Sequence, residues 1–233
     1  MQRGKKSLQI LRAKRQLQAL SIVSSRLQYS ANLGETYGTS RDLYQTLGWK
    51  KVLEFSDFYR KFQRNEIAKM VIQRIAKSCW SSPPRVSDSP NEITEFTKEW
   101  AKLVTKKSLF RDIYRADKLL GLGRYGVILL GLDDTDDFTK PVKPEKVSEL
   151  LYIQPFSEDT AKIQQFDTSR TSPRYGYPVL YDINPDRQED QAMVIPSFRV
   201  HYSRIVHIVE EPMENNVYGV PRLEGIYLSL IHI

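Results

Sequence analysis

Three clusters in this sequence combine residue types able to do chemistry. Gly121-Leu122-Gly123-Arg124-Tyr125-Gly126 spells G-x-G-x-x-G, a pattern that lets a backbone approach a pyrophosphate. Asp133, Asp134, Asp136 and Asp137 crowd carboxylates into one short stretch and could attract a hard cation. His201-Tyr202-Ser203 has the H-x-[ST] form, in which two facing histidines can handle protons around a phosphate. Cys79 is the only thiol.

Each cluster needs a context. A dinucleotide site places its glycines after a strand and at the opening of a helix. Here a helical pattern precedes them and an apolar strand pattern follows, so they are expected to end a helix and release the chain into a sheet. The aspartates lack the glycine and distal glutamate of a calcium loop and read as a solvated turn. Paired-histidine chemistry needs a second copy of the motif. The other histidines offer only His207-Ile208-Val209 and the terminal His232-Ile233. With Val200, Tyr202, Arg204 and Val206 alternating, the segment reads as a strand with polar residues on one face. Cys79, beside Trp80 in a helical pattern, is expected to be buried. No catalytic residue, cofactor site or metal site is expected, and the chain is read as not an enzyme.

The elements that would position these residues follow from periodicity. Ile10, Ala13, Leu17, Leu20 and Leu27 recur at helical spacing with Ser24 interrupting, which predicts an amphipathic N-terminal helix. Asn32–Gly38 breaks it with two glycines. A helix from Ser40 carries Leu43 and Leu47 and stops at Gly48. Ser56 is expected to cap the next, which carries Phe58, Tyr59 and Phe62. After a kink near Asn65, Ile67, Val71 and Ile75 continue a stripe to Trp80. Ser81–Pro90 reads as a loop. Ser89-Pro90-Asn91-Glu92 predicts a capped helix start, with Ile93, Phe96, Trp100 and Leu103 as its buried face. A further helix, Ser108 to about Leu120, is expected to bury Phe110, Ile113 and Tyr114 and to end at Gly121.

Then the period changes. Tyr125–Leu130 is a continuous apolar run suited to a buried strand. Asp133–Pro144 is an acidic turn. Leu151–Gln154, Lys162–Phe166, Val179–Ile183, Ala192–Ile195 and Phe198–Val209 read as strands. Helices first and strands later predict an α+β fold with a mixed or antiparallel sheet.

Charge placement divides the chain further. Residues 1–30 hold seven Lys or Arg and no acid, which leaves 28 basic residues against 28 acids in the remainder. The body is therefore neutral and the excess belongs to an arm. Lys5, Lys6, Arg12, Lys14 and Arg15 are its candidate contacts to nucleic acid or another anionic surface. The same composition also suits a solvated terminus. A single cysteine cannot form an internal disulfide, which favours a reducing compartment. No apolar run approaches the roughly 20 residues of a membrane span, so no membrane partner is expected. The arm's Arg- and Ser-rich, acid-free character mimics a transit peptide, but the chain is read as cytosolic at synthesis.

An ordered set of segments carries a resemblance. These are Asp42-Leu43-Tyr44-Gln45-Thr46-Leu47-Gly48-Trp49, Asn65-Glu66-Ile67-Ala68-Lys69, and Gly121-Leu122-Gly123-Arg124-Tyr125-Gly126-Val127-Ile128-Leu129-Leu130-Gly131. They continue with Leu151-Tyr152-Ile153-Gln154-Pro155, Ser172-Pro173-Arg174-Tyr175-Gly176-Tyr177-Pro178-Val179, His201-Tyr202-Ser203-Arg204-Ile205 and Tyr218-Gly219-Val220-Pro221-Arg222-Leu223. Over about residues 40–227 the chain resembles the tailed-phage portal proteins that share their N-terminal region with anti-CBASS phage proteins. The resemblance implies a wing-like α+β domain in a structural ring of twelve copies at a capsid vertex, made in the host cytoplasm. Its partners would be the packaging motor, capsid and tail-connector proteins, and double-stranded DNA bound without sequence preference. Exposed aromatics such as Tyr175 and Tyr177 suit the contacts between copies.

It also implies an alternative, the non-catalytic N-terminal region of an anti-CBASS cyclic-nucleotide phosphodiesterase whose catalytic domain lies elsewhere. Leu228–Ile233 resembles a translated sequencing adaptor. The expected organisation is therefore an arm over 1–30, a C-terminally truncated portal-like domain over 31–227, and a poorly packed non-native tail over 228–233.

Overall fold

The computed structural model describes residues 2–32, 44, 47–82, 84–89, 94–185 and 196–232; within these, the side chains of 2–13, 30–32 and 231–232 are not described. Two compact units divide the chain, Met1–Leu53 and Glu54–Ile233.

The first unit is dominated by helix α1, Gln2–Asn32. Leu17, Leu20 and Leu27 are exposed as the stripe pattern placed them, but so are Ile22 and Tyr29. At 3.6 residues per turn those two emerge about 120–140° round from Leu17. Apolar residues thus leave the helix on more than one side, and the single-faced amphipathic helix is corrected to a mixed one. The stop at Gly48 is present: its φ of 65° lies in the left-handed region that glycine tolerates, and the Trp49 amide donates to Tyr44 O at 2.8 Å. The rest of the helix expected from Ser40, and most of the Asn32–Gly38 break, lie outside the described residues.

The second unit begins with α2, Phe55–Arg64, and α3, Glu66–Cys79. Glu54, not Ser56, is the N-cap of α2, and its amide donates to the buried Asp57 carboxylate at 3.2 Å. A carboxylate in the first turn also meets the positive end of the helix dipole. Asn65 makes a full break where a kink was expected. Its backbone is extended, and its Oδ1 accepts from the amides of Ile67 and Ala68 at 2.9 and 3.1 Å. That cap rotates the buried stripe by one residue: Ala68, Ile72 and Ala76 are fully buried, while Ile67 and Ile75 are 43% exposed. The small alanines allow α3 to lie close against α5, Leu109–Leu122.

Helix α4, Glu95–Lys107, starts later than the Ser89 signal indicated. Thr94 is its N-cap, accepting from the Thr97 amide at 3.3 Å, while Pro90–Ile93 lie outside the described residues. Phe96 is exposed, and Trp100 and Leu103 are half-buried. In α5 the expected Phe110, Ile113 and Tyr114 are half-buried, and the buried stripe is Leu109, Asp112, Ala116 and Leu120. A charged residue on that stripe hid its register from hydrophobic periodicity.

Strands β1 (Gly126–Leu132), β2 (Leu150–Ser157) and β6 (Ile205–Ile208) form one antiparallel sheet in the order β2-β1-β6. Strands β3 (Ala161–Phe166), β4 (Pro178–Ile183) and β5 (Phe198–His201) form a second in sequential order. Val127 and Leu129 face the second sheet and join Tyr125, Ala161, Tyr181, Ile183 and Val200 in one core. Ile128 faces the helices and packs with Leu109, Ala116 and Ile153 in another. Covered on both faces, β1 had to be continuously apolar. The unit is α+β in three layers, helices on sheet on sheet.

Phe198–Val209 is not one strand. A 3-10 turn at Tyr202–Arg204 carries the chain from the second sheet to the first. The short terminal helix α6, Ser229–His232, buries Leu230 at 3% exposure, which counts against a poorly packed tail. Ala192–Ile195 lie outside the described residues.

Candidate functional site

The glycine cluster is a helix exit. Gly121 and Leu122 still belong to α5, and the Gly123 amide donates back to Leu119 O and Leu120 O at 3.2 and 3.1 Å. The Arg124 amide donates to the Glu158 carboxylate at 2.9 Å. Where a pyrophosphate would need free amides, one is used by the helix and another already holds an acid. Gly121 leaves room for Arg222, whose Cδ would lie 2.9 Å from an added Cβ.

The four aspartates point to different partners. Asp133 accepts from the amides of Ser148 and Glu149 at 2.9 and 3.2 Å and from the Ser148 hydroxyl. The Ser148 hydroxyl and those amides hold its pKa down to about 2. Asp137 is likewise held to about 2, by Thr139 and then Lys140. Asp134 receives both terminal nitrogens of Arg204 at 2.6 and 2.7 Å, and Asp136 faces solvent. No group of acids, histidines or cysteines able to hold a metal occurs among the described residues.

The histidines do not converge. His201 Nδ1 lies 2.9 Å from Ser203 Oγ, and the Ser203 amide donates to it at 3.3 Å. Ser203 Oγ in turn accepts from the Val142 amide at 2.8 Å. The H-x-S motif caps the crossover turn between the sheets. Burial, then Arg174 and Arg204, push His201 below its ordinary pKa. His207 is half-buried against the core, stacked on Tyr125 at 4.9 Å. Its Nε2 is 2.9 Å from Val217 O, which can only accept, so Nε2 carries the proton and Nδ1 accepts from the Tyr181 hydroxyl at 3.0 Å. Burial pushes the ring's pKa below the ordinary imidazole value, with the hydrogen bond to Val217 O acting in the other direction. The side chain of His232 lies outside those described.

Cys79 is exposed at the end of α3, not buried as expected. In the arm, Lys14 and Arg15 are exposed; Lys5, Lys6 and Arg12 belong to α1, with side chains outside those described. Tyr175 is 55% exposed, whereas Tyr177 is half-buried and its hydroxyl accepts from Asn216 at 2.9 Å.

Sequence reasoning missed the buried ions. Arg204 and Asp134 show no side-chain exposure. Arg222 donates to Asp117 and pairs with Glu210, both at 2.7 Å. The Trp80 indole donates to the other Asp117 oxygen at 3.0 Å. This second network ties the end of α3, the middle of α5 and the C-terminal segment together. Burial works against the Arg222 charge, and the two carboxylates outweigh it, holding its pKa up. A signal did exist: a lone arginine in an alternating apolar run must find an acid if buried.

One open cavity of about 630 Å³ lies beside α2, α5 and β2, with Tyr59, Phe62, Arg115, Lys118, Tyr152 and Phe156 on its wall. Among the described residues no carboxylate lines it, nor does His201 or His207. Burial and the neighbouring Arg115 push Lys118 below its ordinary pKa. Among the described residues no helix is long and apolar enough to cross a membrane.

No curated protein matches the chain closely enough to count as a relative. Residues 56–232, from the first turn of α2 through α6, match the family described as phage portal protein, and with most of its length covered the chain belongs to that family.

Proposed function

We propose that this chain is the structural subunit of a portal ring at one capsid vertex, through which the genome is packaged and later ejected. The family match over residues 56–232 carries this reading. The physical character of the second unit supports it. Buried ion pairs join elements far apart in sequence, Asp134 to Arg204 and Asp117 to Arg222, and such pairs resist local opening because a separated charge would be left in apolar surroundings. A ring element loaded by a packaging motor benefits from that stiffness.

The partners on this reading are further copies of the chain, twelve to a ring, together with the motor, capsid and tail-connector proteins. Double-stranded DNA is bound electrostatically through Lys5, Lys6, Arg12, Lys14 and Arg15, and the protein resides in the virion after assembly in the host cytoplasm. Electron microscopy with mass measurement tests the proposal. Closed rings of one size are expected, and a strict monomer at every concentration would refute it.

A further inference from the structure

The neutral body conceals a polarity. Residues 54–124, which contain α2 to α5, hold 15 Lys or Arg against 9 Asp or Glu. Residues 125–233, which contain both sheets and their loops, hold 10 against 17. Counting the described residues alone gives 15 against 8 and 9 against 14, so the helical layer is basic and the sheet layers acidic within one folded unit.

Each side also leaves an apolar feature uncovered. On α3, opposite the buried Ala68, Ile72 and Ala76, the exposed Ile67 and Met70 lie on one face, while the exposed Ile75 borders the buried stripe. Arg74 lies within that face and Lys77 beside it, both exposed. In the acidic stretch, the segment after β6 carries Met213, 82% exposed, between the exposed Glu211 and Glu214. Glu211 itself has a φ of 48°, an uncommon left-handed conformation for a side-chain-bearing residue. No ion pair for Arg74, Lys77, Glu211 or Glu214 occurs within the described residues.

We infer that these two features meet across the contact between neighbouring copies of this chain, with Met213 of one copy seated on the Ile67–Met70 face of the next. Glu211 and Glu214 then oppose Arg74 and Lys77. This deepens the ring reading and rests on it. A closed ring needs two different, mutually complementary surfaces on each subunit, and opposite charge on the two steers copies into that orientation and against the reverse one. The arm is a poor occupant for the α3 face, because its seven Lys or Arg and no acid would meet like charge. A nucleic acid would satisfy Arg74 and Lys77 but leave the apolar Ile67 and Met70 facing phosphate.

Two double variants of exposed residues test the contact, Arg74→Glu with Lys77→Glu and Glu211→Lys with Glu214→Lys. Circular dichroism verifies that both keep the fold. Sedimentation velocity is then run over a concentration series at low and high salt. Wild type should associate, less so in high salt, and each variant alone should associate about tenfold more weakly or worse. Mixed in equal amounts, the two variants should recover association, since every contact again pairs opposite charges.

Variants that associate as well as wild type would overturn this interface and leave the ring reading standing. A wild type that never associates would end both. Loss of DNA retardation in the α3 variant with unchanged self-association would assign that face to nucleic acid and overturn the inference.

Discussion

Arg204 sets both terminal guanidinium nitrogens on the two carboxylate oxygens of Asp134, at 2.6 and 2.7 Å, with neither side chain reaching solvent. This fork joins the acidic turn after β1 to the 3-10 crossover that passes the chain from one sheet to the other, across a sequence separation of 70 residues. Either ion alone in that position would be left without a counter-charge. Arg204→Met and Asp134→Asn should therefore each lower the melting temperature by more than the two changes do together. Thermal unfolding of the four proteins checks this, and simple additivity would show that the pair is not coupled.

Asn65 is a second joint. Asn65→Ala removes the acceptor for two amides and should cost about 1 kcal/mol. In a domain of this size that is a fall of about 2–4 °C in melting temperature. Chemical denaturation measures it, and an unchanged midpoint would mean that the break between α2 and α3 is not held by the cap.

Gly131 faces the Tyr152 ring so closely that any added Cβ would run into it. Gly131→Ala should destabilise by about 1–3 kcal/mol through overpacking. Adding Tyr152→Ala should return most of that loss, since the obstacle is gone. Equal destabilisation with and without Tyr152 would assign the cost to the backbone instead.

His207 predicts a pH dependence. Its folded pKa lies below the ordinary 6.5 because burial disfavours the imidazolium. The unfolded chain therefore binds the proton first as pH falls below 6.5, and stability drops until the folded ring also protonates. Melting temperature should fall with pH over that window. His207→Gln should be less stable at neutral pH yet flatter below it, and a wild-type profile with no decline there would contradict a ring whose charge the fold disfavours.

The arm makes a prediction about salt. Deleting residues 1–30 should weaken binding to double-stranded DNA and flatten its salt dependence. Each Lys or Arg among Lys5, Lys6, Arg12, Lys14 and Arg15 that contacts a phosphate contributes about one unit of the log–log slope. Retardation assays at two salt concentrations read this, and an unchanged affinity would remove the arm from DNA binding.

Much of the fold was legible because its signals are local. The apolar run of β1, the turn after it and the strands at Leu151, Lys162 and Val179 were each written in neighbouring residues, so period and turn chemistry sufficed. Rejecting a nucleotide at Gly121–Gly126 needed only the order of helix and strand. The buried faces of α3 and α5 were misread for related reasons, the α5 stripe also carrying the charged Asp112. Periodicity ranks residues by hydrophobicity, whereas close helix packing selected Ala68, Ala76 and Ala116 and left Ile67 and Ile75 outside.

The amino-acid order by itself determined the class of fold, the basic arm and the absence of a recognisable catalytic pattern, since these depend on composition and short-range spacing. Tertiary structure alone decided which charges are buried and which surface is free. Asp134 finds Arg204, and Asp117 finds Arg222, only when distant segments are brought together. The separation of basic helices from acidic sheets becomes a polarity in space only after the layers stack, because charge acts through distance and not through position along the chain.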